Sequence, residues 1–198
     1  MIPARQVAMK LFYNAPSPYA RKVLVLAHEL GLVDRLTLVA VDPWRDPPEL
    51  LEATPLAKVP ALVTDGITLT ESTAICEHLL RVAGVARPAD GARLDLAARI
   101  GLAQGLIDAS FGTVVERRRP VEVHWSGWID RLGSAITRTV ATVRTPGGSF
   151  DLGDITLACA LAYLDFRLPE VAWRAARADL AAWLDDVNAR ASMVATRA

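Results

Sequence analysis

The sequence has no excess of either charge. Lys plus Arg is 22 and Asp plus Glu is 22 over 198 residues, a difference of zero. A general nucleic-acid binder carries a basic excess, and so does a polybasic membrane-surface protein, so the balance argues against both partners. Long apolar runs are missing too. None approaches the roughly 18 residues that a membrane span needs. Cysteine is scarce: Cys76 and Cys159 are the only two. That excludes a disulfide scaffold and points to a reducing, cytoplasmic setting. Residues 1–6 lack the apolar centre of a secretory signal. There is no Cys-x-x-Cys, no Gly-x-Ser-x-Gly elbow and no metal-ligand spacing among His28, His78 and His124. No metal is expected.

The first part of the chain alternates strand-like and helical texture. Lys10-Leu11-Phe12-Tyr13 is strand-like, and Asn14-Ala15-Pro16-Ser17-Pro18 breaks it with turn residues. From Tyr19 the apolar spacing is helical, through Val23, Leu26, Ala27 and Leu30, and Gly31 is a left-handed stop. Residues 36–41 read as a second, buried strand, giving a βαβ unit with parallel strands. A Pro-rich excursion, 42–55, holds no long element. Residues 60–64 and 67–69 flank Asp65-Gly66, a strong hairpin turn signal. A helix is predicted over 71–83, with Thr70 as its cap and Gly84 ending it. The order is β-α-β, then β-β-α.

After a linker at 85–91 the pattern is all helical and rich in Ala and Arg. Helices are predicted near 91–116, 122–143, 154–167 and 177–190. Asp151 and Asp154 have the spacing of N-cap and N3, and Phe150 and Ile155 that of a hydrophobic staple. Residues 155–164 are apolar nearly all round and read as a buried central helix. Cys76 and Cys159 read as small core residues. Arg117-Arg118-Arg119 reads as a charge run at a helix end.

Three short stretches carry candidate chemistry, and each also has an adequate structural reading. Ser17 before Pro18 is an N-cap in form. The same place, among unpaired N–H groups at the positive end of a helix dipole, suits the stabilisation of a thiolate. Val59-Pro60 is a strand entry, or a cis pair whose Val59 backbone faces a ligand. Glu71 and Ser72 open a helix, or together with exposed N–H groups bind a ligand bearing an ammonium and a carboxylate. Lys58 could hold a second carboxylate.

Together, Ser17-Pro18-Tyr19-Ala20-Arg21-Lys22-Val23, Pro55-Leu56-Ala57-Lys58-Val59-Pro60-Ala61-Leu62 and Thr70-Glu71-Ser72 resemble a cytosolic-type glutathione S-transferase. The similarity runs from Met9 to Thr196 and is closest to bacterial members with a Ser-Pro-Tyr motif, related to the tau and omega classes. The resemblance implies an α/β thioredoxin-like N-terminal domain (8–84) that binds glutathione. An all-α helical C-terminal domain (91–198) would supply an acceptor pocket between the two, near Tyr13, Asn14 and 104–115. It implies Ser17 as the catalytic group at the glutathione sulfur. Val59, before Pro60, would pair with the cysteinyl backbone, Lys58 would meet the glycyl carboxylate, and Glu71 and Ser72 would hold the γ-glutamyl end. Glutathione is then a cosubstrate conjugated to a small electrophile, in detoxification, by a homodimer joined through helices near 91–116 and 71–83. The alternatives are a non-catalytic relative acting through protein partners, and a glutathione-dependent peroxidase or dehalogenase. Ser17, where omega-like members have Cys, disfavours thiol transfer.

Overall fold

The computed structural model describes residues 8–198, so the expectation about a signal in residues 1–6 lies outside the described residues. Contacts divide the chain into two compact units. One runs to Ala86 and takes in Ala195–Ala198; the other is Arg87–Val194. The terminal four residues therefore group with the first unit, where Arg21 Nε donates to Thr196 Oγ1 at 3.5 Å, not with the helical domain expected to run to 198.

The first unit is built on a four-stranded mixed sheet of order β2-β1-β3-β4. The strands are β1 (Met9–Tyr13), β2 (Leu36–Ala40), β3 (Ala61–Thr64) and β4 (Ile67–Leu69). β1 pairs parallel with β2 and antiparallel with β3. Leu11 and Phe12 point to opposite faces by strand alternation, yet are 0% and 1% exposed, so β1 is covered on both sides. Phe12 packs with Val41, Ala61 and Leu50, and Leu50 belongs to α2 (Pro48–Ala53). Helices α1 (Pro18–Glu29) and α3 (Ser72–Val82) pack against each other. The Asp65-Gly66 turn takes positive φ at both positions, +50° and +74°, as a tight hairpin turn requires. Gly31 is also left-handed, φ +64°, just past the end of α1.

Two expectations need correcting here. β2 is an edge strand, not a buried one: Thr37, Leu38 and Ala40 are exposed. An apolar run of six residues cannot by itself report which strand ends on an edge. Thr70 does not cap α3. The N-cap is Glu71, and its side chain makes no capping hydrogen bond.

The second unit centres on α4 (Asp90–Glu116) and α6 (Leu152–Arg167), which pack on each other, with α5 (Ser126–Thr142) against α4. α7 (Trp173–Ala176), α8 (Ala178–Asn188) and α9 (Ala191–Ala195) complete the helices. α6 is buried continuously from Leu152 to Leu161. Its buried Thr156 hydroxyl donates to the Leu152 carbonyl at 2.6 Å, as Ser110 does to Leu106 in α4. Such back-bonds satisfy a buried hydroxyl without a partner from elsewhere. α5 begins at Ser126, later than the predicted 122, because Val121–Val123 forms a one-turn 3-10 segment after Pro120. The Trp125 N–H there is taken by the Glu116 carboxylate at 2.9 Å.

The Asp151 box forms as the spacing predicts. Asp151 Oδ1 accepts from the N–H groups of Gly153 and Asp154, and Asp154 accepts from the Asp151 N–H. The sequence reading did not foresee Arg99, whose guanidinium grips Asp151 at 2.5 and 2.9 Å and Asp154 at 3.0 Å, while its Nε holds Asp95. The two carboxyls shift oppositely. Burial pushes Asp151 up, but the Arg99 hydrogen bond and the backbone N–H groups outweigh it and hold it below the usual range. Burial and the neighbouring Asp151 charge raise Asp154. Asp151→Ala removes both cap and pair. It should lower unfolding stability by about 2 kcal/mol, whereas Asp95→Ala, an exposed pair on the same guanidinium, should change it by less than about 1 kcal/mol. Urea unfolding midpoints check both.

Candidate functional site

The sheet register gathers the candidate residues. β1 runs toward Tyr13 and hands over to the loop bearing Ser17. β3 runs the other way, with Ala61 opposite Phe12, so Val59 and Pro60 enter beside the exit of β1. β4 reverses again, with Leu69 opposite Leu62, so Glu71 and Ser72 leave at that same end. Three segments far apart in sequence thus meet at one end of the sheet, at the carboxyl end of the parallel β1–β2 pair. Ligands of α/β folds sit at such an end.

Ser17 is the N-cap of α1, in extended conformation, with Pro18 at the first helical position. Its Oγ accepts from the Ala20 N–H at 3.2 Å. That leaves the hydroxyl proton to donate elsewhere. The loop is braced on both sides: the Ser17 N–H donates to the Asn14 carbonyl at 3.0 Å, and Asn14 Nδ2 donates to the Val41 carbonyl at 2.8 Å. Asn14 thus has a structural task at the edge between β1 and β2.

The Val59–Pro60 peptide is cis. Pro60 is buried and Val59 packs against the Phe12 cluster. β3 begins only at Ala61, so the Val59 N–H and C=O stand outside its ladder. Lys58 is exposed and makes no ion pair among the described residues. It follows Ala57, which is held left-handed at φ +47°. A non-glycine residue in that region is uncommon and marks a locally strained turn.

Glu71 is exposed and also without an ion pair among the described residues. Ser72, the first residue of α3, is only 3% exposed. One residue of this region passed unnoticed in the sequence. Lys22, on α1, is 0% exposed, and its Nζ donates to Thr73 Oγ1 at 3.1 Å. The signal was the unbroken apolar run from Val23 to Ala27 beside it, which makes α1 buried nearly all round.

Other polar groups are accounted for structurally. Cys76 and Cys159 are buried in α3 and α6. His124 Nε2 lies 2.9 Å from the Arg119 carbonyl oxygen. Arg117 pairs with Glu170, and Arg119 with Glu116 at 3.3 Å. Among the described residues, no group of three or more His, Cys, Asp or Glu side chains could hold a metal ion. No helix there is long and apolar enough to cross a membrane. A groove of about 610 Å³ in the second unit runs along Thr113, Ile129, Ile136 and Leu168. It contains none of the residues gathered at the sheet end.

The chain is similar to known proteins over most of its length. The family model described as Glutathione S-transferase, N-terminal domain, matches residues 16–82, and the corresponding C-terminal domain model matches 126–186. A crystal structure of a glutathione transferase family member from Pseudomonas fluorescens Pf-5, with bound glutathione, is 38% identical. The match covers 96% of this chain and 98% of that one, with a TM-score of 0.89. A glutathione S-transferase from Methylobacillus flagellatus KT, with GSH bound, is 32% identical over 96% of this chain and 98% of its own, with a TM-score of 0.85. The uncharacterized GST-like protein YibF of Escherichia coli is 29% identical over 95% of this chain and 98% of its own length. A four-stranded mixed sheet with its helices, followed by a helical unit, is the fold of those structures, and this chain belongs to the glutathione S-transferase family.

Proposed function

We propose that the protein is a glutathione transferase that joins the glutathione sulfur to a small electrophile. The observation that carries this reading is the convergence of Ser17, Val59 and Ser72 at one end of the sheet. Glutathione bound in the crystal structures of two relatives at 38% and 32% identity supports it.

The roles follow from what each group can donate. The ammonium of the γ-glutamyl end meets the Glu71 carboxylate, and its carboxylate meets the Ser72 hydroxyl and the first N–H groups of α3. The cysteinyl backbone pairs with the N–H and C=O of Val59, ahead of Pro60. Lys58 faces the glycyl carboxylate. This sets the sulfur at the start of α1. A free thiol has a pKa of about 8.5 and is lowered at helix N-termini. Ser17 donates its hydroxyl proton to the sulfur, since its lone pair already accepts from the Ala20 N–H. The thiol proton passes to solvent. The thiolate then attacks the electrophilic carbon, and any leaving group departs with the bonding electrons. Holding the nucleophile in place supplies the rest of the acceleration by proximity.

The acceptor is a small electrophile, consistent with a cytoplasmic detoxifying enzyme. The working form is a homodimer joined through α4 and α3; Leu94 and Leu102 on α4 are 73% and 42% exposed, as a face awaiting a partner would be.

Ser17→Ala should raise the pKa of the bound glutathione thiol toward about 8.5 and lower kcat/KM by roughly 10-fold or more near neutral pH. Thiolate absorbance in a pH titration reads the first. An unchanged pKa and rate would remove the role from Ser17. Glu71→Gln should raise the KM for glutathione by about 10-fold, the worth of one charged hydrogen bond, with a smaller change in kcat. Light scattering at micromolar concentration should give twice the chain mass, and a monomer would overturn the homodimer.

A further inference from the structure

We propose that the acceptor electrophile carries a carboxylate, and that Arg167 and Tyr163 on the last turns of α6 receive it. The inference rests on the transferase reading above and narrows its substrate.

Tyr163 and Arg167 stand four residues apart on α6, so they share one face of the helix. A cation in the last turn suits the helix dipole, and an exposed arginine would meet that need. Arg167 is held differently. It is part-buried, its guanidinium lies 4.1 Å from the centre of the Phe166 ring, and its Nε is buried with no hydrogen-bond partner among the described residues. Buried polar groups are ordinarily paired, and an unpaired donor carries its desolvation cost uncompensated. The two carboxylates nearest in sequence are committed to other cations: Asp165 accepts from Arg174 at 2.7 Å, and Glu170 pairs with Arg117. Arg167 makes no ion pair among the described residues.

Tyr163 supplies a second donor. It is 6% exposed. Burial raises the pKa of its hydroxyl, and the charges of Arg167 and Arg118 only partly oppose that. The hydroxyl therefore stays protonated near neutral pH. Arg118 has other interactions as well, so Arg167 is the cation assigned to the ligand. A planar fork of N–H donors with one O–H donor on the same face matches a carboxylate, whose two oxygens accept from both. A carboxamide has one acceptor oxygen and turns N–H groups of its own toward the guanidinium, so a neutral acceptor fits less well.

The test pairs 4-chloro-3-nitrobenzoate with its amide, 4-chloro-3-nitrobenzamide. In each, the glutathione thiolate attacks the carbon that bears chlorine, and chloride leaves with the bonding electrons. Each rate is divided by the uncatalysed rate with glutathione, which removes the difference in intrinsic reactivity. The full-length wild type should favour the benzoate by about 10-fold or more in kcat/KM. Arg167→Met should lower kcat/KM by about 10-fold for the benzoate and by less than about 3-fold for the amide. Arg167→Lys should recover part of the loss, and Tyr163→Phe should lose less than Arg167→Met. No preference in the wild type, or equal losses on both compounds in Arg167→Met, overturns the proposal and leaves the transferase reading intact. If the wild type binds glutathione but turns over neither compound, calorimetry decides with the two conjugates, S-(4-carboxy-2-nitrophenyl)glutathione and its carbamoyl counterpart. Tighter binding of the carboxy conjugate, lost in Arg167→Met, supports the proposal, and equal binding refutes it. A wild type that binds no glutathione at millimolar concentration overturns the transferase reading and this proposal with it. Should Arg167→Met fail to fold by circular dichroism, Tyr163→Phe decides: a loss confined to the carboxylate compound supports the site, and unchanged selectivity refutes it.

Discussion

β1 must satisfy the hydrogen-bonding groups on both of its edges, and it does so with partners that run in opposite directions. The parallel partner, β2, forces a crossover through α1, because parallel strands cannot be joined by a tight turn. The antiparallel partner, β3, brings its own start to the place where β1 ends. A tight hairpin then returns β4 to that end. The candidate site follows from this arrangement. Had β3 paired parallel to β1, Val59 would lie at the opposite end of the sheet from Ser17.

Each unit also depends on one cation that reaches a helix start. In the first unit, Lys22 is wholly buried and bonds the first turn of α3. In the second, Arg99 is part-exposed and bonds the capping box of α6. Arg99 faces a pair of carboxylates, so its charge is offset and one of them titrates below the ordinary range. Lys22 Nζ donates to Thr73 Oγ1, joining α1 to the first turn of α3. The Arg99 arrangement is an internal clamp that holds the start of α6 in place.

Much of this was legible in the chain. Ser17 and Asp151 announce helix starts because a short side chain with an acceptor satisfies orphan N–H groups within three residues. Asp65-Gly66 announces a hairpin, and Gly31 and Gly84 announce helix ends, because few residues accept positive φ. What escaped depended on neighbours distant in sequence. Leu36-Thr37-Leu38-Val39 has the same text on an edge as in a centre, so β2 was expected to be buried. Trp173–Ala176 and Ala191–Ala195 are too short to show a period. Ala57 gives no hint that its backbone turns left-handed ahead of Lys58. The cap of α3 was placed at Thr70, a better capping residue than Glu71, because propensity outranked the pairing that carries β4 only as far as Leu69.

The sequence by itself determined the order and kind of the elements, the two-part division near residue 85, and the three stretches that resemble a glutathione S-transferase. These depend on interactions within a few residues, which the local text contains. Only the tertiary structure decided that those stretches meet, that Lys22 loses all its water, and that Arg99 closes on Asp151 and Asp154. Each of these joins residues about 40 to 60 positions apart. Strand register and desolvation arise from long-range packing, and no local pattern of side chains encodes them.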